Sequence, residues 1–540
     1  MSILFSEIGP AFKRRAMHNL SHERLQTQQL GELVPCECLE ILPGDRINFK
    51  TDMVVRLSPL LAPIMSQIDV TTHYWFVPNR IIWDDWEEFI TGGKDNDPTQ
   101  APVVPTISIT NASVGSLADY LGVPTGLSSA LTVSALPFRA YAKIYNEWYR
   151  DENLQTEVGL STASGSDSTT NTSLKMRNWN HDYFTSCLPW PQRGPAVTIP
   201  VGSSSAPVSV YGNGKTLGLE NGSGVGHGLV SSNTSQGYLV STTSDFNTTL
   251  SGGNPGSGVS QYQRLGLTQD SAKSGVVGTA DLSSATATDI RTLRQAFQLQ
   301  LWAELSARAG YRYVENTLAH FGVRIPDSRL QRPEYLGGGK SPVVVSEVLQ
   351  TSSTDSTSPQ GNMAGHAFSA QRSHGFTHTF VEHGFVIAIV NVQPKTMYQQ
   401  GLSKMWTRDT KEAYFWPMFE HIGEEAVYNK EIYAQGDTVV DGTGNVIDNK
   451  PFGYQSRYED YRTKPNEVHG EFKSTLSYWH TGRIFSSLPV LNGSFVTSDT
   501  VDRINAVTGV DNVYLDMFHN IKALRPVGRR GNPGRIDHKW

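Results

Sequence analysis

The sequence predicts a mainly β protein whose helices sit in the connections between strands. Three observations carry this. Two segments alternate apolar and polar residues with a period of two. The connections around them are long and rich in Pro and Gly, such as 92–105 and 337–342. Two helical stripes are present, but they do not alternate with strands in the regular way that a parallel sheet requires.

In chain order, Ile47, Phe49, Thr51, Met53, Val55 and Leu57 alternate with mostly polar neighbours, and Ile68, Val70, Thr72, Tyr74 and Phe76 do the same. Both runs predict half-buried strands. Tyr141, Ile144, Tyr145 and Trp148 fall at i, i+3, i+4 and i+7, which predicts a helix. Ile290, Leu293, Phe297, Leu301 and Leu305 form a longer stripe, with Asp289 near its start and Gly310 placed as its stop. Apolar stripes of this kind predict packing against a sheet or a neighbour. The apolar runs 376–380 and 385–392 flank Glu382, His383 and Gly384, a hairpin-like break.

Residues 195–263 hold only three charges, Lys215, Glu220 and Asp245, among many Ser, Thr, Gly and Asn. Short β-forming runs recur there, at 208–211, 229–230 and 238–240. A structureless stretch of this length inside a compact domain is unusual. The segment therefore reads as a β-rich surface insertion, with a disordered linker between domains as the alternative.

The chain has 540 residues, 45 Lys+Arg against 51 Asp+Glu, and 49 Gly. The glycines lack a three-residue period, which excludes collagen. The 21 Phe, 21 Tyr and 11 Trp with a net charge of −6 argue against global disorder. Charged residues make up 18%, where about a quarter is typical, so some surface is expected to be buried against something else, which points toward assembly. Cys36, Cys38 and Cys187 cannot form a disulfide framework, and Cys36 and Cys38 have no second Cys or His pair for zinc. The longest apolar run is 385–390, far short of the roughly 20 residues of a membrane helix. The start of the chain, with Glu7, Pro10 and then Lys13, Arg14 and Arg15, does not read as a signal peptide. Reduced thiols and folding in a cytoplasm are expected.

Charge is unevenly distributed. Residues 522–540 carry Lys522, Arg525, Arg529, Arg530, Arg535 and Lys539 against Asp537, and residues 1–30 carry Lys13, Arg14, Arg15 and Arg24 against Glu7 and Glu23. Basic ends on an acidic body suit contact with phosphates, or are simply solvated termini.

Motifs for catalysis or cofactors are incomplete. Gly337, Gly338, Gly339, Lys340 and Ser341 resemble a phosphate loop, but position 334 is Glu where that motif needs Gly. Gly224, Gly226 and Gly228 lack the strand before and helix after that a dinucleotide site requires. His378, Glu382 and His383 are one residue too far apart for an inverted zinc motif and lie in a strand context. Asp84, Asp85, Glu87 and Glu88 read as a solvated first helical turn rather than a catalytic pair. The expectation is a protein that is not an enzyme, with no cofactor and no metal.

The most specific signal is an ordered set of short phrases. His18-Asn19-Leu20-Ser21-His22 is followed by Gly31-Glu32-Leu33-Val34-Pro35 and Leu42-Pro43-Gly44-Asp45. Leu61-Ala62-Pro63-Ile64-Met65 leads to Thr72-His73-Tyr74-Trp75-Phe76-Val77-Pro78-Asn79-Arg80 and Trp86-Glu87-Glu88-Phe89-Ile90-Thr91-Gly92-Gly93. Leu136-Pro137-Phe138-Arg139-Ala140-Tyr141, His181-Asp182-Tyr183-Phe184-Thr185-Ser186, Arg332-Pro333-Glu334-Tyr335-Leu336-Gly337-Gly338 and Phe415-Trp416-Pro417 follow. Together they resemble the major capsid proteins of gokushoviruses, small tailless single-stranded DNA phages of the microvirus family. The likeness runs from about residue 16 to about 480 and lapses in the low-charge middle.

The resemblance implies an eight-stranded antiparallel jelly roll of the viral capsid type with long insertions containing some helices. It implies a T=1 icosahedral shell of about sixty copies around a circular single-stranded DNA genome, together with minor virion proteins. It also implies that the insertion, 195–275, protrudes at threefold axes and meets a host surface receptor. The genome lies against the inner face in that family, which makes Arg14, Arg15, Arg525, Arg529 and Arg530 candidate DNA contacts, the last three in a basic C-terminal tail, 522–540. The expected location is the virion, assembled in the bacterial host cytoplasm without membrane insertion. The alternative is a β-rich secreted adhesin or carbohydrate-binding protein.

Overall fold

The computed structural model describes residues 15–91, 102–110, 112–197, 290–310, 312–349, 363–372 and 375–529, and the backbone of short strands between 208 and 280. The chain divides into two compact units, one made of residues 1–194 and 303–540, the other of residues 195–302.

The first unit is built on ten strands: β1 (Ala16–Asn19), β2 (His22–Gln28), β3 (Glu32–Ile41), β4 (Arg46–Leu57), β5 (Ile68–Pro78), β6 (Glu334–Leu349), β7 (Met363–Arg372), β8 (Phe376–Thr379), β9 (Gly384–Pro394) and β10 (Val513–Arg525). All their pairings are antiparallel, and Lys175–Met176 extends the edge at β3. Eight of the ten have seven or more residues. Ranked along the chain, these eight form one sheet in the order first, eighth, third, sixth (β2, β10, β4, β7). The other sheet runs second, seventh, fourth, fifth (β3, β9, β5, β6). That order is the jelly roll with its two Greek keys. The long β6 joins the sheets, because its first part pairs with β5 and its last part with β7.

The core lies between the two sheets. Ile47, Phe49, Met53 and Val55 of β4 face Val70 and Tyr74 of β5, Val34 and Cys36 of β3, and Val386 and Val390 of β9. The period-two pattern of β4 is realised without exception: odd positions are buried and even ones are exposed or half-buried. β5 departs from its expected half-burial, since every residue but His73 is buried. The cause is a second apolar layer. Helix α1 (Leu136–Ile144) sets Leu136, Phe138, Tyr141 and Ile144 against Trp75 and Val77 of β5 and Ile387 and Ile389 of β9. Its predicted stripe ends at Trp148, whose ring centroid lies 4.7 Å from that of Trp75.

Two other expectations are corrected. The runs around Glu382, His383 and Gly384 do not form a hairpin: β8 pairs with β4, whereas β9 pairs with β3 and β5. The break carries the chain from one sheet to the other. Helix α2 (Ile290–Ala309) forms and ends at Gly310 with φ +98°, as expected. Among the described residues, however, its large apolar stripe is uncovered: Phe297, Leu301 and Leu305 are exposed, while the small residues Ala303, Ser306 and Ala307 are buried. The glycine run at 337–339 belongs to β6 rather than to a loop. A Cβ on Gly338 would stand 2.4 Å from the Thr72 carbonyl oxygen, which excludes any side chain there.

In the second unit, strands Gly218–Glu220, Gly226–Ser231, Leu239–Ser241 and Gly266–Leu267 form one sheet, and Val208–Gly212 pairs with Val276–Ala280. The β-forming runs identified at 208–211 and 229–230 fall on two of these strands, and 239–240 of the run 238–240 on a third, residue 238 lying outside the described residues.

Candidate nucleic-acid and subunit-contact surfaces

The basic ends of the chain meet. Strand β1 pairs with the last part of β10, placing Ala16 opposite Arg525 and Asn19 opposite Lys522. His18 Nε2 stands 3.0 Å from the Val527 carbonyl oxygen and ties the tail to the same edge. Arg15 is exposed and lies over the turn at Gly44, where a Cβ would be 3.3 Å from its guanidinium. Arg529 is exposed as well. Arg525 is differently placed. It pairs with the fully buried Asp45 at 3.1 Å and donates to the Glu40 carbonyl oxygen at 2.7 Å, so much of its charge serves the fold. Arg14 and Arg530 lie outside the described residues.

The residues weighed for catalysis serve as ties between elements. Glu382 is paired with Arg80 at 2.5 Å, and His383 packs edge-on against Trp86. Asp84 and Asp85 accept hydrogen bonds from Thr162 and Ser164, both at 2.6 Å, while Glu87 and Glu88 occupy the first turn of the helix Trp86–Thr91.

One three-residue cluster has metal-ligand types: His22, Glu37 and His519, whose side-chain atoms lie within 4.8 Å of one another. Both nitrogens of each ring are already engaged. His22 contacts Glu37 at 3.0 Å and the Leu20 carbonyl at 2.9 Å. His519 contacts Thr51 and the Cys36 carbonyl, each at 3.0 Å. Burial, with the nearby His22 and Arg24, lowers the His519 pKa to about 4. The cluster is therefore a hydrogen-bonded knot between β2, β3, β4 and β10.

The three thiols are free. Cys36 points into the core and Cys38, two residues on, also lies within the sheet; burial pushes both up to about 12, which keeps them protonated and unreactive.

Large apolar side chains stand out on the connection between β9 and β10. Trp406 is 71% exposed and Met418 82%, and Met405, Trp416 and Ile422 are also exposed. Beside them opens a recess of about 620 Å³ whose lining includes Tyr183, Phe184, Tyr398 and Tyr461. Protruding rings next to a recess are poorly suited to water and well suited to a neighbouring subunit. Sequence reasoning missed this surface, although the run of aromatic and Met residues from Met405 to Met418 was there to read.

A jelly roll with very long insertions and large exposed apolar loops is the build of a virion shell protein. The chain matches the family described as "Capsid protein (F protein)" over residues 6–534, and it belongs to that family. It is 39% identical to capsid protein VP1 of Chlamydia phage 1, covering 98% of this chain and 97% of that one. It is 38% identical to capsid protein VP1 of Bdellovibrio phage phiMH2K (98% and 97%), and 35% identical to capsid protein VP1 of Spiroplasma virus 4 (96% and 95%). The chain is thus a major capsid protein of the gokushovirus kind, a component of an assembled multi-copy shell in the virion. The adhesin alternative falls with that membership.

Proposed function

We propose that this chain forms a T=1 icosahedral shell of about sixty copies around a circular single-stranded DNA genome, assembled in the host cytoplasm without catalytic activity of its own. The observation that carries this reading is the display of large apolar side chains on loops that the jelly roll does not need for its own core, Trp406 and Met418 above all. A neighbouring subunit supplies the cover, as obligate contacts do. The exposed stripe Phe297, Leu301 and Leu305 of α2 is a second surface of this type. A protruding ring on one subunit and a recess on the next make a heterologous contact, which closes into rings when the rotation fits.

The insertion, 195–275, is read as the outward protrusion at threefold axes that meets a host surface receptor. Support comes from its low charge and Ser/Thr/Gly-rich composition, and from its own small sheets. Arg14, Arg15, Arg525, Arg529 and Arg530 are read as contacts to the genome, Arg15 and Arg529 most directly, because both are exposed. Minor virion proteins complete the particle. Negative-stain imaging of the expressed chain tests the assembly reading: uniform spherical shells are expected, and monomers under all assembly conditions overturn it. Deletion of 202–275 is expected to spare shells and abolish attachment to host cells. Retained attachment overturns the receptor reading.

A further inference from the structure

The connection between β9 and β10 presents its large apolar side chains from two short 3-10 turns, Lys404–Trp406 and Pro417–Phe419. The backbone holds both. The Thr407 N–H donates to the Lys404 carbonyl oxygen at 3.1 Å, and the Phe419 N–H donates to the Trp416 carbonyl oxygen at 2.9 Å. The Trp416 indole N–H also donates to the Lys411 carbonyl oxygen at 2.9 Å. Each turn displays a methionine, Met405 at 60% exposure and Met418 at 82%. Met405 adjoins the exposed Trp406 and lines the recess described above, and Met418 stands two residues after the exposed Trp416. Met53 and Met517, by contrast, are buried between the sheets.

A thioether is apolar and adaptable, which suits a subunit contact, and it is also readily oxidised. Hydrogen peroxide transfers one oxygen atom to it. The sulfur lone pair forms the S–O bond as the O–O bond breaks, and the leaving hydroxide takes the proton of the transferred oxygen and departs as water. Sulfur is oxidised by two electrons and the peroxide is reduced. Cys36 and Cys38 do not compete for the oxidant, since burial keeps their thiols protonated. The sulfoxide oxygen is a hydrogen-bond acceptor, and covering it with an apolar neighbour costs free energy unless a donor meets it. Oxidation of the free subunit therefore turns two apolar contact residues polar before a neighbour can cover them.

We propose that Met405 and Met418 form a modification site that controls assembly: their sulfoxides hold the subunit out of the shell, and a neighbouring subunit shields them from the same oxidant once the shell has closed. The proposal rests on the reading that this loop is a subunit contact, and adds the regulation of that contact.

The test treats the full chain with hydrogen peroxide, both as free subunits and as finished shells, and reads oxygen uptake at each methionine by peptide mass spectrometry. In free subunits Met405 and Met418 are expected to oxidise while Met53 and Met517 do not. By light scattering, the treated subunits are expected to need a concentration at least about tenfold higher to form shells. A methionine sulfoxide reductase with a dithiol is expected to restore the parental value. Treated subunits that assemble at the parental concentration overturn the proposal. Met17 and Met65 are exposed as well, so Met405→Leu with Met418→Leu assigns the effect. The ratio of its assembly concentrations with and without peroxide is expected to stay near one, and a tenfold ratio overturns the assignment. Should that variant not assemble, Met17→Leu with Met65→Leu is expected to keep the tenfold ratio, and a ratio near one overturns it equally. Finished shells separate the two readings. Met405 and Met418 that oxidise as fast in shells as in free subunits overturn the contact and the proposal together. Protection in shells, with oxidised subunits that assemble normally, overturns the proposal alone.

Discussion

The guanidinium of Arg139 and the carboxylate of Asp167 are 2.8 Å apart, and neither side chain has any exposed surface. Arg139 also donates to the carbonyl oxygens of Ile82, at 3.1 Å, and Ala163, at 2.8 Å. Asp167 accepts from the backbone and hydroxyl of Thr170, at 3.0 and 2.6 Å. The pair thus pins α1 to the two segments of the first long insertion that flank it. Through α1 it holds the layer that buries the outer face of β5 and β9. Truncating one partner leaves the other charge buried and unpaired, which costs about 3–5 kcal/mol. Arg139→Ala is therefore expected to lower the unfolding free energy of the unassembled subunit by that amount in denaturant titrations. A loss below about 1 kcal/mol would show that water replaces the guanidinium.

A similar logic applies to Arg525, with a different consequence. Because Asp45 is fully buried and paired with it, Arg525→Ala is expected to destabilise the subunit, whereas Arg529→Ala, at an exposed position, is expected to stay within about 0.5 kcal/mol of the parent. Denaturation midpoints of the two variants check this. Equal stability of both would mean that Asp45 finds another partner, and would return Arg525 to the pool of freely available DNA contacts.

These pairs also mark what the sequence makes legible. The strand β4 is readable in full, because one side of it faces the core and the other faces outward, and period two records that difference. The burial of β5 on both faces is not, because the covering helix lies more than fifty residues further along the chain. The apparent hairpin at Glu382 misleads for a related reason: a short break between apolar runs looks the same whether the strands pair or part to opposite sheets. The stripe of α2 is correctly periodic, yet periodicity names a face without naming what covers it. At the surface, Arg15 and Arg529 could be found by charge counting.

Acid is expected to weaken the subunit through one buried and one half-buried histidine. His519 and His73 each have a pKa lowered to about 4, first by burial and then by nearby positive charge, Arg177 in the case of His73. His73 hydrogen-bonds the Tyr149 hydroxyl at 2.8 Å. A base whose folded pKa lies below its unfolded value of about 6.5 binds protons more readily when unfolded. Stability is therefore fully present above about pH 6.5 and falls as pH drops toward 4, by up to about 3 kcal/mol for each ring. Denaturation midpoints measured between pH 7 and pH 5 should decline before most carboxylates titrate. A flat profile over that interval would mean that neither ring is held neutral.

Assembly and folding should separate at the loop between β9 and β10. Trp406 and Met418 are among the most exposed apolar side chains of the described residues, and exposed positions usually change stability by less than about 0.5 kcal/mol when substituted. A neighbour that covers an indole, by contrast, draws on one of the strongest contributors to interfaces, about 2 kcal/mol or more at a hot spot. Each subunit of a closed shell makes the contact, so the loss is repeated around the particle. Trp406→Ser with Met418→Ser is accordingly expected to leave the denaturation curve of the unassembled subunit unchanged while raising the concentration needed for shells by at least tenfold. Light scattering across a concentration series reads this directly. Shells that form at the parent concentration would place the subunit contacts elsewhere, with the α2 stripe of Phe297, Leu301 and Leu305 the next surface to alter.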